Sequence, residues 1–293
     1  MAKKALVLGG TRFFGKHLVY ALLDQGMAVT IATRGKTADP FGDQVKRLVF
    51  DRTNASSIKD VLTKETYDIV FDNIAYSAKD VENLLKHVST QRYVVTSSMS
   101  VYPDLHPDMQ ERDFQPLEHD VRLAESDLLP YGEGKQTVET ILAKCYPHVS
   151  ATFVRFPYVI GREDYTKRFA FYLEKLVNQE PMAIDNAGSQ MAFVDAVEAG
   201  RFLAFLGTSD YTGPINGASK GTISIEEVLN YGTSKTGYVP RFAADGAKGP
   251  YNGTPAYSIN TSQADSIGFV FSALEDWIYQ LCDWEINQAL EKR

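Results

Sequence analysis

With 293 residues, 44% of them apolar, the chain can fill the core of one large α/β domain or of such a domain with a smaller appendage. Its 30 basic and 37 acidic side chains leave a formal charge of −7, which removes the long-range attraction that nucleic-acid backbones or anionic lipid would need. The two cysteines, Cys145 and Cys282, and the five scattered histidines provide neither a disulfide framework nor metal-ligand spacing, so no metal is expected.

The chain passes from Lys3-Lys4 straight into Ala5-Leu6-Val7-Leu8 and then glycines. That apolar stretch is too short for a signal peptide or a membrane span, and the expected location is the cytoplasm. β-rich runs follow at Ala28–Ala32, Arg47–Phe50, Ile69–Phe71, Tyr93–Thr96 and Ala151–Val154. They are apolar on consecutive positions, as in strands covered on both faces. Between them Val81, Leu84, Leu85 and Val88, and again Val138, Ile141, Leu142 and Cys145, repeat at helical spacing, which puts Cys145 in the core. This alternation predicts a doubly wound parallel α/β sheet of about seven strands. After about residue 160 the rhythm loosens. A helix carries Phe169, Leu173 and Leu176, residues 245–255 read as a loop, and a last helix carries Leu274, Trp277, Ile278 and Leu281. The expected division is residues 1–160 as a dinucleotide-binding domain, to which the chain returns near 190–218, with 161–189 and 219–293 forming a smaller substrate lobe.

The first strand runs directly into Gly9-Gly10-Thr11-Arg12-Phe13-Phe14-Gly15, and a helix follows with Leu18 and Leu22 on one face and Gly26 at its end. Strand, tight glycine turn and helix is the context in which backbone N–H groups at a helix N-terminus receive a pyrophosphate. The middle position of the usual three-glycine spacing is occupied by Arg12, whose guanidinium can bind phosphate oxygens. The second strand ends in Thr33-Arg34-Gly35-Lys36 and carries no acid there. An acid would repel a ribose 2′-phosphate and these cations would attract it, so NADP is expected over NAD. Asp51, at the end of the third strand, is read either as an acceptor for the adenine amino group or as an N-cap for the next helix.

Thr96-Ser97-Ser98 closes the fifth strand, and Tyr131-Gly132-Glu133-Gly134-Lys135 opens the helix after it. Tyr131 and Lys135 lie one turn apart on one helix face, where the cation and the cofactor's positive nicotinamide are expected to lower the phenol pKa and ready it for proton exchange with a substrate oxygen. Ser98 would polarise the same oxygen. The spacing alone is weak, since Tyr231 and Lys235 repeat it, but only the first copy follows a strand ending in serines; Tyr231 reads as a packed helix residue.

Taken together, these residues resemble the short-chain dehydrogenase/reductase superfamily in its extended and atypical branches, which include the NAD-dependent epimerase/dehydratase proteins. Ser97-Ser98-Met99-Ser100-Val101-Tyr102 is similar to the Ser-Ser-x-x-Val-Tyr signature, Arg155-Phe156-Pro157-Tyr158-Val159-Ile160-Gly161 to a stretch near the nicotinamide, and Phe193-Val194-Asp195 to the segment that returns to the core domain. The resemblance implies a Rossmann fold with Ser98, Tyr131 and Lys135 as the catalytic triad. It also implies cofactor contacts at Ala75, Thr96, Lys135, Pro157 and Tyr158. The form of the opening turn is closest to the atypical group around the stem-loop-binding and isoflavone-reductase-like proteins. The reading is an NADP-dependent oxidoreductase or epimerase acting at an alcohol or carbonyl carbon, on a sugar nucleotide or a carbonyl metabolite, as a monomer or a homodimer. A non-catalytic NADP-sensing protein is the alternative, and RNA binding is disfavoured by the acidic charge.

Overall fold

The computed structural model describes residues 2–62 and 66–293. Strand and helix alternate through the first half: β1 (Lys4–Leu8), α1 (Phe13–Asp24), β2 (Ala28–Thr33), β3 (Lys46–Val49), α2 (Ala55–Leu62), β4 (Thr66–Asp72), α3 (Ala78–Leu85), β5 (Ser89–Thr96), α4 (Tyr131–Cys145) and β6 (Ser150–Arg155). The second half holds β7 (Tyr158–Ile160), α5 (Ala170–Asn178), β8 (Met182–Ala183), β9 (Phe193–Asp195), α6 (Ala196–Thr208), β10 (Gly213–Asn216), α7 (Ile225–Thr236), β11 (Ala247–Lys248), α8 (Ser262–Ser266) and α9 (Ile278–Glu291).

Among the described residues one seven-stranded sheet runs in the order β10-β6-β5-β4-β1-β2-β3, every pair parallel. The strand order reverses between β1 and β4, and at such a switch point the connecting loops part and leave a crevice at the carboxyl ends of the strands. Ala5 and Val7 join the side chains of α1 and α6 in one core, while Leu6 and Leu8 join those of α2, α3 and α4 in another. Burial on both faces is why these strands read as unbroken apolar runs. A third core, built from Leu173 and Leu176 of α5, Val228 of α7, and Leu281 and Ile286 of α9, lies outside that sheet.

Three expectations need correction. Cys145 is exposed, because the buried stripe of α4 stops at Leu142 and Cys145 belongs to the helix's last turn. The final helix does not include Leu274: the chain breaks at Trp277 (φ −135°), whose indole N–H donates to Ser219 Oγ at 3.2 Å, and α9 starts at Ile278. Within 245–255, Ala247 and Lys248 form a short strand against β8, so this segment is not wholly loop.

Arg155 at the end of β6 points inward, fully buried. Its Nη2 donates to Glu139 Oε2 at 2.6 Å and Nε to Oε1 at 3.0 Å, with further bonds to the carbonyls of Glu111 (2.8 Å) and Phe114 (3.0 Å). Removing one member leaves the other charge buried without its partner. Arg155→Met is therefore expected to destabilise by about 3–5 kcal/mol in urea unfolding, and Arg155→Met/Glu139→Leu by clearly less. Equal losses in the two variants would show that the pair does not act as a unit.

Candidate functional site

The turn after β1 is shaped by its glycines. Gly9 has φ +78°, and a Cβ on Gly15 would lie 2.0 Å from the Gly9 carbonyl oxygen, so the first turn of α1 rests directly on the turn that precedes it. Gly10 instead faces inward, where a Cβ would meet Val19 at 2.9 Å; it is a packing position and does not line the cleft expected for it. Arg12 occupies the N-cap of α1 in an extended conformation, gives no side-chain cap, and places its exposed guanidinium 5.8 Å from the Tyr165 ring centroid. The N–H groups of the helix's first turn therefore have no side-chain partner at the N-cap and stay available to an anion. Phe13 takes φ +52°, sparsely populated for a residue with a Cβ, and packs edge-on against Tyr165 at 6.2 Å.

A cleft of about 450 Å³ opens from this turn along the carboxyl ends of β1, β2, β3 and β4. Gly9, Thr11, Arg12, Phe13, Phe14 and Gly15 form one end, Arg34, Lys36 and Asp51 the other. Arg34 and Lys36 are exposed and have no ion-pair partner among the described residues. Asp51 accepts the N–H (3.0 Å) and hydroxyl (2.7 Å) of Thr53, bonds that hold its carboxyl below the usual range, with Arg34 and Lys36 adding to the effect. The capping alternative for Asp51 does not hold: Asn54 accepts the N–H groups of Ser56 and Ser57 at the start of α2.

The second cluster forms where α4 meets the ends of β4 and β5. A Cβ at Gly132 would lie 2.4 Å from the Ser100 carbonyl oxygen, and one at Gly134 2.3 Å from that of Tyr76. Bare backbone at both positions lets the helix press onto the two loops. Lys135, 1% exposed, donates from Nζ to the carbonyls of Ala75 at 2.8 Å and Thr96 at 2.7 Å. Burial disfavours its charge and lowers its pKa to about 8. Ser98 Oγ accepts the Ser100 N–H at 3.1 Å, and Thr96 Oγ1 donates to Asn73 Oδ1 at 2.8 Å. Ala75, Thr96 and Lys135 are thus brought together through Lys135, while Pro157 and Tyr158 lie outside the cleft; Tyr158 instead bonds Thr254 at 3.1 Å beneath the Arg168 guanidinium.

Tyr131 stands at the head of α4, 54% exposed as a whole residue, with its hydroxyl end among Ser98, Tyr165 and Arg168. Its pKa is raised, first by desolvation of the hydroxyl, against the opposing hydrogen bond to Ser98 and the charge of Arg168. Lys135 by itself does not produce the expected lowering. The Lys135 ammonium, 5.8 Å from the Tyr131 ring centroid, is engaged by two carbonyls and turned toward Tyr76 at 4.9 Å, so its charge is not spent on the phenol. Tyr231 donates to Asp283 at 2.8 Å and packs against Tyr279 on the third core, as its helix reading anticipates.

Sequence reading missed Asn73, whose amide carbonyl receives Thr96, and Arg52, Tyr76, Asp80, Ser126 and Tyr165, all of which line the cleft. Only Asn73 had a local signal: a polar residue directly after an apolar strand run.

Residues 5–217 match the NAD dependent epimerase/dehydratase family. The chloroplast stem-loop binding protein of 41 kDa b from Arabidopsis thaliana is 29% identical over 224 residues, 70% of this chain but 55% of that protein, so the match spans about half of that relative's length. The UDP-glucose 4-epimerase of Neisseria meningitidis serogroup C is 26% identical over an alignment of 306 residues, 93% of this chain and 82% of that protein. In fold, the UDP-glucose 4-epimerase of Thermotoga maritima, solved with UDP-glucose, superposes with a TM-score of 0.78 over 98% of this chain and 99% of its own, at 14% identity. The resemblance read from the motifs agrees with this match, which takes in both the glycine turn and the Tyr131–Lys135 helix, and the chain belongs to the NAD dependent epimerase/dehydratase family of enzymes.

Proposed function

We propose that this protein is an NADP-dependent oxidoreductase or epimerase acting at an alcohol or carbonyl carbon, with Tyr131 as general acid/base. The observation that carries the reading is the meeting of Tyr131, Ser98 and Lys135 at the carboxyl end of β5, beside a turn whose Gly9 and Gly15 leave no room for side chains. That cradle fits a pyrophosphate, and when bound a nicotinamide dinucleotide would supply or accept hydride at the substrate carbon. The chain's own residues do the rest. Ser98 holds the reacting oxygen, Tyr131 gives or takes its proton, and Lys135 fixes the carbonyls of Ala75 and Thr96 that frame the nicotinamide end. Pro157 and Tyr158, outside the cleft around the glycine turn, are assigned to cofactor contacts near that end. Asp51 accepts from the adenine amino group, and Arg12 meets the pyrophosphate.

In this reading residues 1–160 with 190–218 hold the dinucleotide, and 161–189 with 219–293 close over a sugar nucleotide or carbonyl metabolite; the UDP-glucose seen in the Thermotoga maritima enzyme supports the former. The protein acts as a monomer or a homodimer. No helix among the described residues is long and apolar enough to cross a membrane, which accords with a cytoplasmic enzyme.

NADP preference rests on Arg34 and Lys36, which reach the cleft without a carboxylate partner among the described residues. NADPH is expected to bind at least about tenfold tighter than NADH, and Arg34→Glu to abolish that difference, because a 2′-phosphate gains a charge-assisted contact of about 1.5–3 kcal/mol. Fluorescence titration with the two cofactors checks this; equal dissociation constants for the native protein would sink NADP preference while leaving dinucleotide binding in place. The stem-loop-binding relative makes RNA a second reading, which requires salt-sensitive gel retardation that a protein of charge −7 is not expected to show.

A further inference from the structure

Arg52 leaves the end of β3 beside Asp51 and turns inward, 8% exposed. Its guanidinium grips Asp72 as a fork, Nη1 to Oδ1 at 2.6 Å and Nη2 to Oδ2 at 3.0 Å, and its Nε stands 3.5 Å from Asp80 Oδ1. Both carboxylates have further partners. Asp72, fully buried at the end of β4, also accepts the Tyr93 hydroxyl at 2.6 Å and the Ile74 N–H at 3.1 Å. Asp80 accepts the N–H groups of Tyr76 at 2.8 Å and Ser77 at 3.1 Å. Residues 72–77 are thereby pinned from the β3 side.

The opposite side of the same turn carries Lys135. The Ala75 carbonyl accepts its Nζ, the Tyr76 ring faces the ammonium at 4.9 Å, and the Ala78 N–H donates to Thr137 of α4 at 3.0 Å. The charged and titratable groups around Lys135 are Arg52 beyond β3, Asp72 on β4, Asp80 on α3, Glu139 on α4, and the phenols of Tyr76 and Tyr131. Glu139 is already matched by Arg155. The remaining set holds two cations and two anions, so it is balanced only while Arg52 is present. Buried ion pairs are weak sources of stability, and a planar fork that satisfies one carboxylate while approaching another is not replaceable by a point charge.

We propose that Arg52 is a positioning residue for Lys135: by clamping Asp72 and approaching Asp80 it fixes the turn whose carbonyl holds the ammonium, and it completes the charge balance around it. The proposal rests on reading Lys135 as part of the reaction site. Its test needs no turnover, and its failure is therefore distinct from failure of the proposed reaction.

The test is a pH titration of the lysine 13Cε resonances in the full-length protein, with Lys135 assigned by its loss in Lys135→Arg. The native midpoint is expected at about 8. Arg52→Gln removes a cation and leaves Asp72 facing Lys135, so the midpoint should rise by about one pH unit. Arg52→Lys, which keeps the charge but loses the fork, should restore it only in part. Asp72→Asn removes the anion, leaves Arg52, and should move the midpoint below the native value; it reports even if Arg52→Gln does not fold. An unchanged midpoint in either folded variant overturns the proposal. So does loss of NADPH binding in Arg52→Gln with Lys135 unmoved, which would make Arg52 a residue of the adenine site.

Discussion

Tyr131→Phe is expected to bind NADPH as the native protein does and to lose turnover by about 10²–10⁴-fold, the usual contribution of one positioned acid or base. The substitution removes one hydroxyl from a residue that is 54% exposed at the head of a helix, so neither the core nor the phosphate cradle is disturbed. What disappears is the proton that Tyr131 shares with the substrate oxygen held by Ser98. Because burial raises the phenol pKa above its ordinary value near 10, Tyr131 is protonated throughout the neutral range and stands ready as a donor, the role needed when a carbonyl is reduced. Reduction is accordingly expected to be highest below neutrality and to fall to about half near pH 8, as Lys135 loses its proton and its hold on the Ala75 and Thr96 carbonyls weakens. The measurement is single-turnover, native against variant: reduction of NADP by UDP-sugars, whose alcohol carbon gives up hydride, and oxidation of NADPH by small aldehydes or ketones, whose carbonyl carbon accepts it. Full activity in Tyr131→Phe would remove Tyr131 from the mechanism, whereas no turnover by the native protein with any of these substrates would leave a binding protein as the better reading.

The parts of the molecule that could be read from sequence are those whose determinants are local. β1, β2 and β6 appear as continuous apolar runs because both faces of the sheet are covered, and the glycine turn is legible because strand, turn and helix are adjacent. Lys135 could be singled out from Tyr131 and the serines after β5, but not its carbonyl partners at Ala75 and Thr96, which are 60 and 39 residues away. Arg155 shows the converse. Its motif suggested the nicotinamide, yet its side chain turns into the core, since Glu139 on the facing helix supplies the matching charge. The share of Lys135 in tuning Tyr131 was illegible for a related reason: spacing along α4 puts an ammonium one turn away, but does not tell whether that ammonium is free or already bonded. Arg52, paired with Asp72 twenty residues on, gives no local pattern.

Gly15→Ala is expected to weaken NADPH binding by about a hundredfold while the protein stays folded. Ala is a better helix former than Gly by roughly 1 kcal/mol, so a change inside α1 would ordinarily stabilise. Here the added methyl would stand 2.0 Å from the Gly9 carbonyl oxygen and 3.3 Å from Asn73 Nδ2. Backbone cannot swing aside as a flexible side chain does, so either the Gly9 turn or the first turn of α1 must move. The N–H groups of that helix turn then no longer aim at one point, and two charge-assisted bonds to phosphate at about 1.5 kcal/mol each account for the loss. The displaced Gly9 carbonyl would also disturb Asn73, which links the turn to Thr96 and so to the carbonyl that holds Lys135. A fall in turnover with saturating NADPH is therefore expected alongside the weaker binding. Calorimetric titration gives the first quantity and thermal melting shows that the fold persists. Native affinity in a folded Gly15→Ala protein would mean that the dinucleotide does not sit on this turn.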